Sequence, residues 1–169
     1  MDQFLKNQDT SPLYRIVLVK RGITVAELLV VVAVIGLVVL VVLPKFSNIK
    51  ENAVLKTAVN DVLSSINKAK NQTLSSLNSS EYGVHFQSDK VIIFKGKIFS
   101  AGTSTNEIID IASPATITNV TFGGVSGTSG DMYFNRIYNA PSTTGTVTIA
   151  TSSYSKIITI YATGVAGSN

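Results

Sequence analysis

The chain has 169 residues, enough for one globular domain plus a membrane segment, and a formal net charge of +4. With no cysteine and a single histidine it holds no disulfide and no thiolate site, and it lacks the ligands of an ordinary zinc site. Only 14% of residues are charged, well below the usual quarter; Ser, Thr, Asn and Gly fill the surface instead, which suits an extracytoplasmic, β-rich domain.

Residues 1–22 contain Lys6, Arg15, Lys20 and Arg21 against Asp2 and Asp9, so the net charge falls to +2 without them. The basicity is therefore partly a property of this segment and weak evidence for a nucleic-acid partner. Next comes Gly22-Ile23-Thr24-Val25-Ala26-Glu27, then sixteen residues, Leu28 to Leu43, with no charged or polar side chain, fourteen of them Leu, Val or Ile. This run is too long for a core strand. The 21 residues from Ile23 to Leu43 would span roughly 31 Å as a helix, against a hydrocarbon core of about 30 Å. A conventional secretory signal has an apolar core of about 7–15 residues followed by small residues at its cut site. Here the run is longer, and Leu43-Pro44-Lys45-Phe46 offers no such site.

Glu27 stands inside this apolar segment. Fourteen Leu, Ile and Val side chains favour insertion by very roughly 5 kcal/mol, and a carboxylate costs about 3 kcal/mol at the bilayer centre and less near an end. Insertion wins. An acid at this depth either snorkels to the headgroups or meets a cation in the membrane or in an assembly.

From Lys20 to Gly36, with Pro44 behind, the sequence resembles the class III signal of type IV prepilins and of the pseudopilins of type II secretion. The features that carry the resemblance are the basic pair Lys20-Arg21, then Gly22, Thr24, Glu27 and Pro44 at their spacing from Ile23. The resemblance implies insertion in the inner membrane with the leader, residues 1–22, in the cytoplasm and the head outside. It implies cleavage by a prepilin peptidase between Gly22 and Ile23, and N-methylation of Ile23. Assembly with other pilin or pseudopilin subunits would then run through the helix of residues 23–44, with Glu27 and Pro44 at family positions. Cleavage would create an α-amine at Ile23 that is mostly cationic at neutral pH. Amine and carboxylate four residues apart fall on one helical face, and each can also reach its opposite on a neighbouring subunit.

Residues 45–78 are expected to continue as an amphipathic helix to Leu77, with Pro44 accommodated by a kink. Its apolar face would be Phe46, Ile49, Ala53, Val59, Val62, Leu63, Ile66, Ala69, Leu74 and Leu77. From residue 79 the pattern turns to strands. Tyr82 to Phe86 and Lys90 to Phe94 form a hairpin around Gln87-Ser88-Asp89. Further strands are expected at Ile98-Phe99, Glu107 to Ile111, Ala115 to Phe122, Met132 to Asn135, Thr146 to Ala150 and Lys156 to Tyr161. Gly123 to Gly130 reads as a flexible loop. Closely spaced strands with no helix between them indicate antiparallel sheet, so the fold class is α+β, with residues 79–169 as a β-rich head. The pilin resemblance implies the same arrangement, a pilin fold. Tyr82-Gly83-Val84-His85-Phe86, Val91 to Phe94, Phe134-Asn135-Arg136, Gly145 to Ile149, Ile157 to Ile160 and Gly164 are similar to H-type pseudopilins and related minor pilins. Tyr138-Asn139 and Val165 depart from that pattern. Relatives that carry a DNA-uptake tail have arginine at the Val165 position.

Little here suggests an enzyme, and no cofactor or metal is expected. His85, on a strand, reads as a structural residue. Asp89, Glu107, Asp110 and Asp131 are too dispersed for a calcium loop, and Gly123 to Gly127 lacks the helix and lysine of a phosphate cradle. Arg136, Lys156, Tyr133, Phe134, Tyr138 and Tyr154 are candidates for a nucleic-acid surface, with core aromatics and scattered surface cations as the simpler account. Two functional classes follow: a structural subunit, more consistent with a minor one, of a pilus or secretion pseudopilus; or a membrane-anchored module whose β domain recognises DNA, a surface or an exported substrate.

Overall fold

The computed structural model describes residues 22–169; residues 1–21, with Lys20 and Arg21, lie outside them, as do the side chains of residues 43–48, Pro44 and Phe46 among them. The chain is α+β, an N-terminal apolar helix followed by antiparallel sheets. Helix α1 runs Val25–Leu74, and a 3-10 turn follows at Leu77–Ser79. The strands are β1 Tyr82–Phe86, β2 Lys90–Lys95, β3 Glu107–Asp110, β4 Thr116–Phe122, β5 Val125–Gly127, β6 Gly130–Tyr133, β7 Gly145–Ala150, β8 Ser155–Ile160 and β9 Ala166–Ser168. Two units divide between Leu40 and Val41, and each is described by itself.

In the second unit, α1 buries Leu55, Ala58, Val59, Val62, Ser65, Ile66, Ala69 and Thr73, three- and four-residue steps with two adjacent pairs, which keep one face inward. Four expected members of the stripe lie outside it: Ile49 is 67% exposed, and Ala53, Leu74 and Leu77 are exposed as well. Leu55 and Ala58 take up the face that Ala53 was expected to occupy. The helix also stops three residues short of Leu77. Buried Thr73 explains the stop: its hydroxyl donates to the Ala69 carbonyl at 3.0 Å and accepts the Tyr82 amide at 2.9 Å, tying the last turn to the start of β1. Beyond it Ser76, Asn78 and Ser79 adopt φ near +50°. Ser75 and Ser80 hydroxyls there bond nearby carbonyls, the local competition that makes such residues poor helix formers.

One sheet has the order β3-β2-β1-β6 and the other β5-β4-β7-β8-β9. Every pairing is antiparallel. The expected β1–β2 hairpin forms, closed by the Gln87 amide on the Lys90 carbonyl at 2.9 Å. All five residues of β1 are buried, because the first sheet is covered on both faces. Tyr82, Val84, Phe86, Val91 and Ile93 join the α1 stripe in the main core. On the opposite face His85, Phe94 and Phe99 pack on one another. Ile98-Phe99 is consequently no strand. Gly96, at φ +106°, turns the chain out of β2, Ile98 is exposed, and Phe99 folds back as a cover. The second sheet contributes Ile117, Val120, Val147, Ile149, Ile158 and Ile160 to the same main core.

Half of the expected loop from Gly123 to Gly130 is strand. Gly123 and Gly124 have φ of +57° and +84° and join Phe122 to Val125 as a two-residue hairpin turn, the conformation that glycine pairs favour. Gly130 already belongs to β6, which ends at Tyr133, so Phe134 and Asn135 fall outside the expected Met132–Asn135 strand; Phe134 forms an isolated bridge with Pro141. Strand β9 had no counterpart in the sequence reading. The C-terminal region is held without a disulfide: β9 pairs with β8, the Asn169 amide bonds the Ile157 carbonyl at 3.1 Å, and Lys70 Nζ donates to the Gly164 carbonyl at 3.1 Å.

Candidate membrane-spanning and assembly segment

Gly22, Ile23 and Thr24 are not helical; α1 opens at Val25. Thr24 is its N-cap, since its Oγ1 accepts the Glu27 amide at 3.2 Å and its carbonyl accepts the Leu28 amide at 3.1 Å. Thr24-x-x-Glu27 has the spacing of a capping box, and its threonine half is formed. Among the described residues the Glu27 carboxylate makes no side-chain hydrogen bond. Its charge in the first turn faces the positive end of the helix dipole. In the intact chain Ile23 precedes the helix; the expected pairing of its amine with Glu27 belongs to the cleaved chain.

From Val25 to Val42 the helix is long and apolar enough to cross a membrane, and none of it is buried. That reverses the usual distribution, in which an uninterrupted apolar run is packed inside. A β-carbon built on Gly22 would meet nothing within 4 Å. Packing among the described residues thus imposes no need for glycine there.

In the second unit, Glu51 of α1 clasps the β7–β8 turn. One carboxylate oxygen accepts the Ser152 hydroxyl at 2.8 Å and the other the Ser153 amide at 3.2 Å. The Ser152 hydroxyl, foremost, holds the Glu51 carboxyl below its usual range, with the Ser153 contacts adding to it against a smaller opposing effect of burial. A carboxylate whose pKa is lowered on folding stabilises the fold above its unfolded pKa of about 4.3, and that contribution disappears as pH falls through the folded value. Protection of the Ser153 amide, its exchange measured against the intrinsic rate at each pH, is accordingly expected to fall as the pH drops through the folded value. Glu51→Gln should exchange faster at neutral pH and lose this dependence. An unchanged pH profile in the variant would assign the protection to another group.

His85 is buried, its ring stacked on Phe99 at 3.8 Å with an interplanar angle of 5°, and its Nδ1 lies 3.4 Å from Asp131 Oδ1. The four acids considered for calcium stand apart: Glu107 pairs with Lys68, Asp89 with Lys90 and Asp131 with His85, while Asp110 ends β3. Among the described residues no three His, Cys, Asp or Glu side chains come together in a way that could hold a metal ion. The nucleic-acid candidates are dispersed too. Phe134 is fully buried, and Lys97 Nζ sits 5.8 Å over the Tyr133 ring. Arg136 and Tyr138 belong to the β6–β7 connection, whereas Lys156 lines a cleft of about 230 Å³ with Lys56, Asn60 and Ser168.

Sequence reasoning missed Thr24 as a cap, although Thr-x-x-Glu before an apolar run was its signal. It also missed Glu51 and Thr73, whose partners lie far along the chain or across a turn and leave no local mark. No protein-family model matches the chain, and no curated protein and no solved structure matches it.

Proposed function

We propose that the chain is a structural, minor-type subunit of a type IV pilus or type II secretion pseudopilus, with a pilin fold. It enters the inner membrane as a prepilin, is cleaved after Gly22 by a prepilin peptidase, is N-methylated on Ile23 and assembles through α1. The observation that carries this reading is the uncovered apolar helix Val25–Val42, with an acid in its first turn directly behind Gly22-Ile23. Lipid covers such a surface first, and the helices of sister subunits can cover it afterwards. A protruding apolar helix makes a heterologous contact that propagates without closing into a ring.

Mass spectrometry of the native protein from a cell with an active prepilin peptidase tests the reading. The expected mass lacks residues 1–22 and carries one methyl group on Ile23. A second reading, an anchored binding module, draws on Ile137 and Tyr138, 82% and 78% exposed on the β6–β7 connection, where a partner would cover them. That module would keep Met1 to Gly22, or lack the methyl group, and finding either would displace the filament subunit.

A further inference from the structure

We infer that Thr24 is a positioning residue for leader removal: its cap holds the Gly22–Ile23 bond in non-helical backbone, where a peptidase can take it. The inference rests on the prepilin reading above. Three observations converge on it. The helix begins at Val25 and not earlier. Thr24 Oγ1 occupies the Glu27 amide. Gly22, Ile23 and Thr24 are exposed, and among the described residues nothing lies within 4 Å of a β-carbon built on Gly22.

Hydrolysis of the Gly22–Ile23 amide consumes one water, leaving a carboxylate on Gly22 and an α-amine on Ile23. A peptidase must reach that carbonyl, which a helix would engage in its own hydrogen-bond ladder. An N-cap residue takes extended backbone angles and supplies an acceptor for an amide of the first turn. Without that acceptor, the amides of Ala26 and Glu27 have one intrachain alternative: the carbonyls of Gly22 and Ile23, four residues back. Taking it winds the scissile bond into the helix. The drive to do so is strongest at a membrane surface, where an unsatisfied amide has little water to turn to. A cap therefore sets the fraction of chains in the cleavable form.

The test is cleavage of the full-length chain in membrane vesicles by a prepilin peptidase, with product mass as readout. Thr24→Val keeps the branched shape and removes the acceptor, and Thr24→Ser keeps the acceptor. Losing a cap shifts the winding equilibrium about fivefold. KM for Thr24→Val is therefore expected to rise, by up to about fivefold, with kcat unchanged, because only the competent fraction falls. Thr24→Ser should behave as wild type. A wild-type KM for Thr24→Val, a fall confined to kcat, or a defect in Thr24→Ser equal to that of Thr24→Val would each overturn the inference and leave the prepilin reading standing. Wild-type chain that stays uncut removes the reading and the inference together.

Discussion

Glu27→Gln is expected to insert and be cleaved like the wild type, yet to enter filaments about tenfold or more less efficiently. The carboxylate opposes insertion, so replacing it with a neutral amide does not weaken membrane residence. The cap is kept, because Thr24 bonds the Glu27 backbone amide and not its side chain. On the proposed filament reading, the variant loses a charge that would meet the cationic Ile23 terminus of a neighbouring subunit. Removing one partner of a buried ion pair costs about 3–5 kcal/mol, since the other charge is left in apolar surroundings; partial hydration in a filament lowers that figure, hence the tenfold bound. Glu27→Asp, shorter but charged, should fall between the two. The measurement is the fraction of subunit recovered in sheared filaments relative to the membrane pool, and equal recovery for Glu27→Gln would sink the pairing.

Gly145→Ala should destabilise the head by about 3 kcal/mol, the upper end of the overpacking range. Gly145 starts β7 opposite Phe122 of β4. A β-carbon there would run into the Thr121 carbonyl oxygen and the Phe122 ring. A flexible side chain could rotate away, but a carbonyl in a paired strand cannot move without breaking the β4–β7 register. For a head of this size the loss corresponds to a fall in melting temperature of about 10 °C. Gly167→Ala in β9 is the control, since nothing lies within 4 Å of its added carbon, and an effect within about 0.5 kcal/mol is expected. Thermal unfolding of the detergent-solubilised chain, followed by circular dichroism, separates the two. Equal melting of Gly145→Ala and Gly167→Ala would show that β4 and β7 can part at that end at little cost.

Fold class and candidate site were legible to different depths. Where a signal is carried by neighbours along the chain, residue order alone determined the outcome. The apolar run, the period of the α1 stripe from Val59 to Ala69, the β1–β2 hairpin and the alternation in β7 and β8 all belong here. Each expresses one local rule, the 3.6- or 2-residue period or a turn chemistry, which needs no knowledge of distant residues. The tertiary structure decided the rest. Val125-Ser126-Gly127 and Ala166-Gly167-Ser168 include glycine and serine, weak strand formers, and become β5 and β9 because β4 and β8 offer unpaired edges. Helix α1 stops at Leu74 because Thr73 meets the Tyr82 amide. Phe99 lies outside any strand because Gly96 turns the chain out of β2, and its ring stacks on His85 instead. Glu51 finds Ser152 across about a hundred residues of sequence. Contacts of this kind form only once the chain has folded back on itself, so no local pattern announces them.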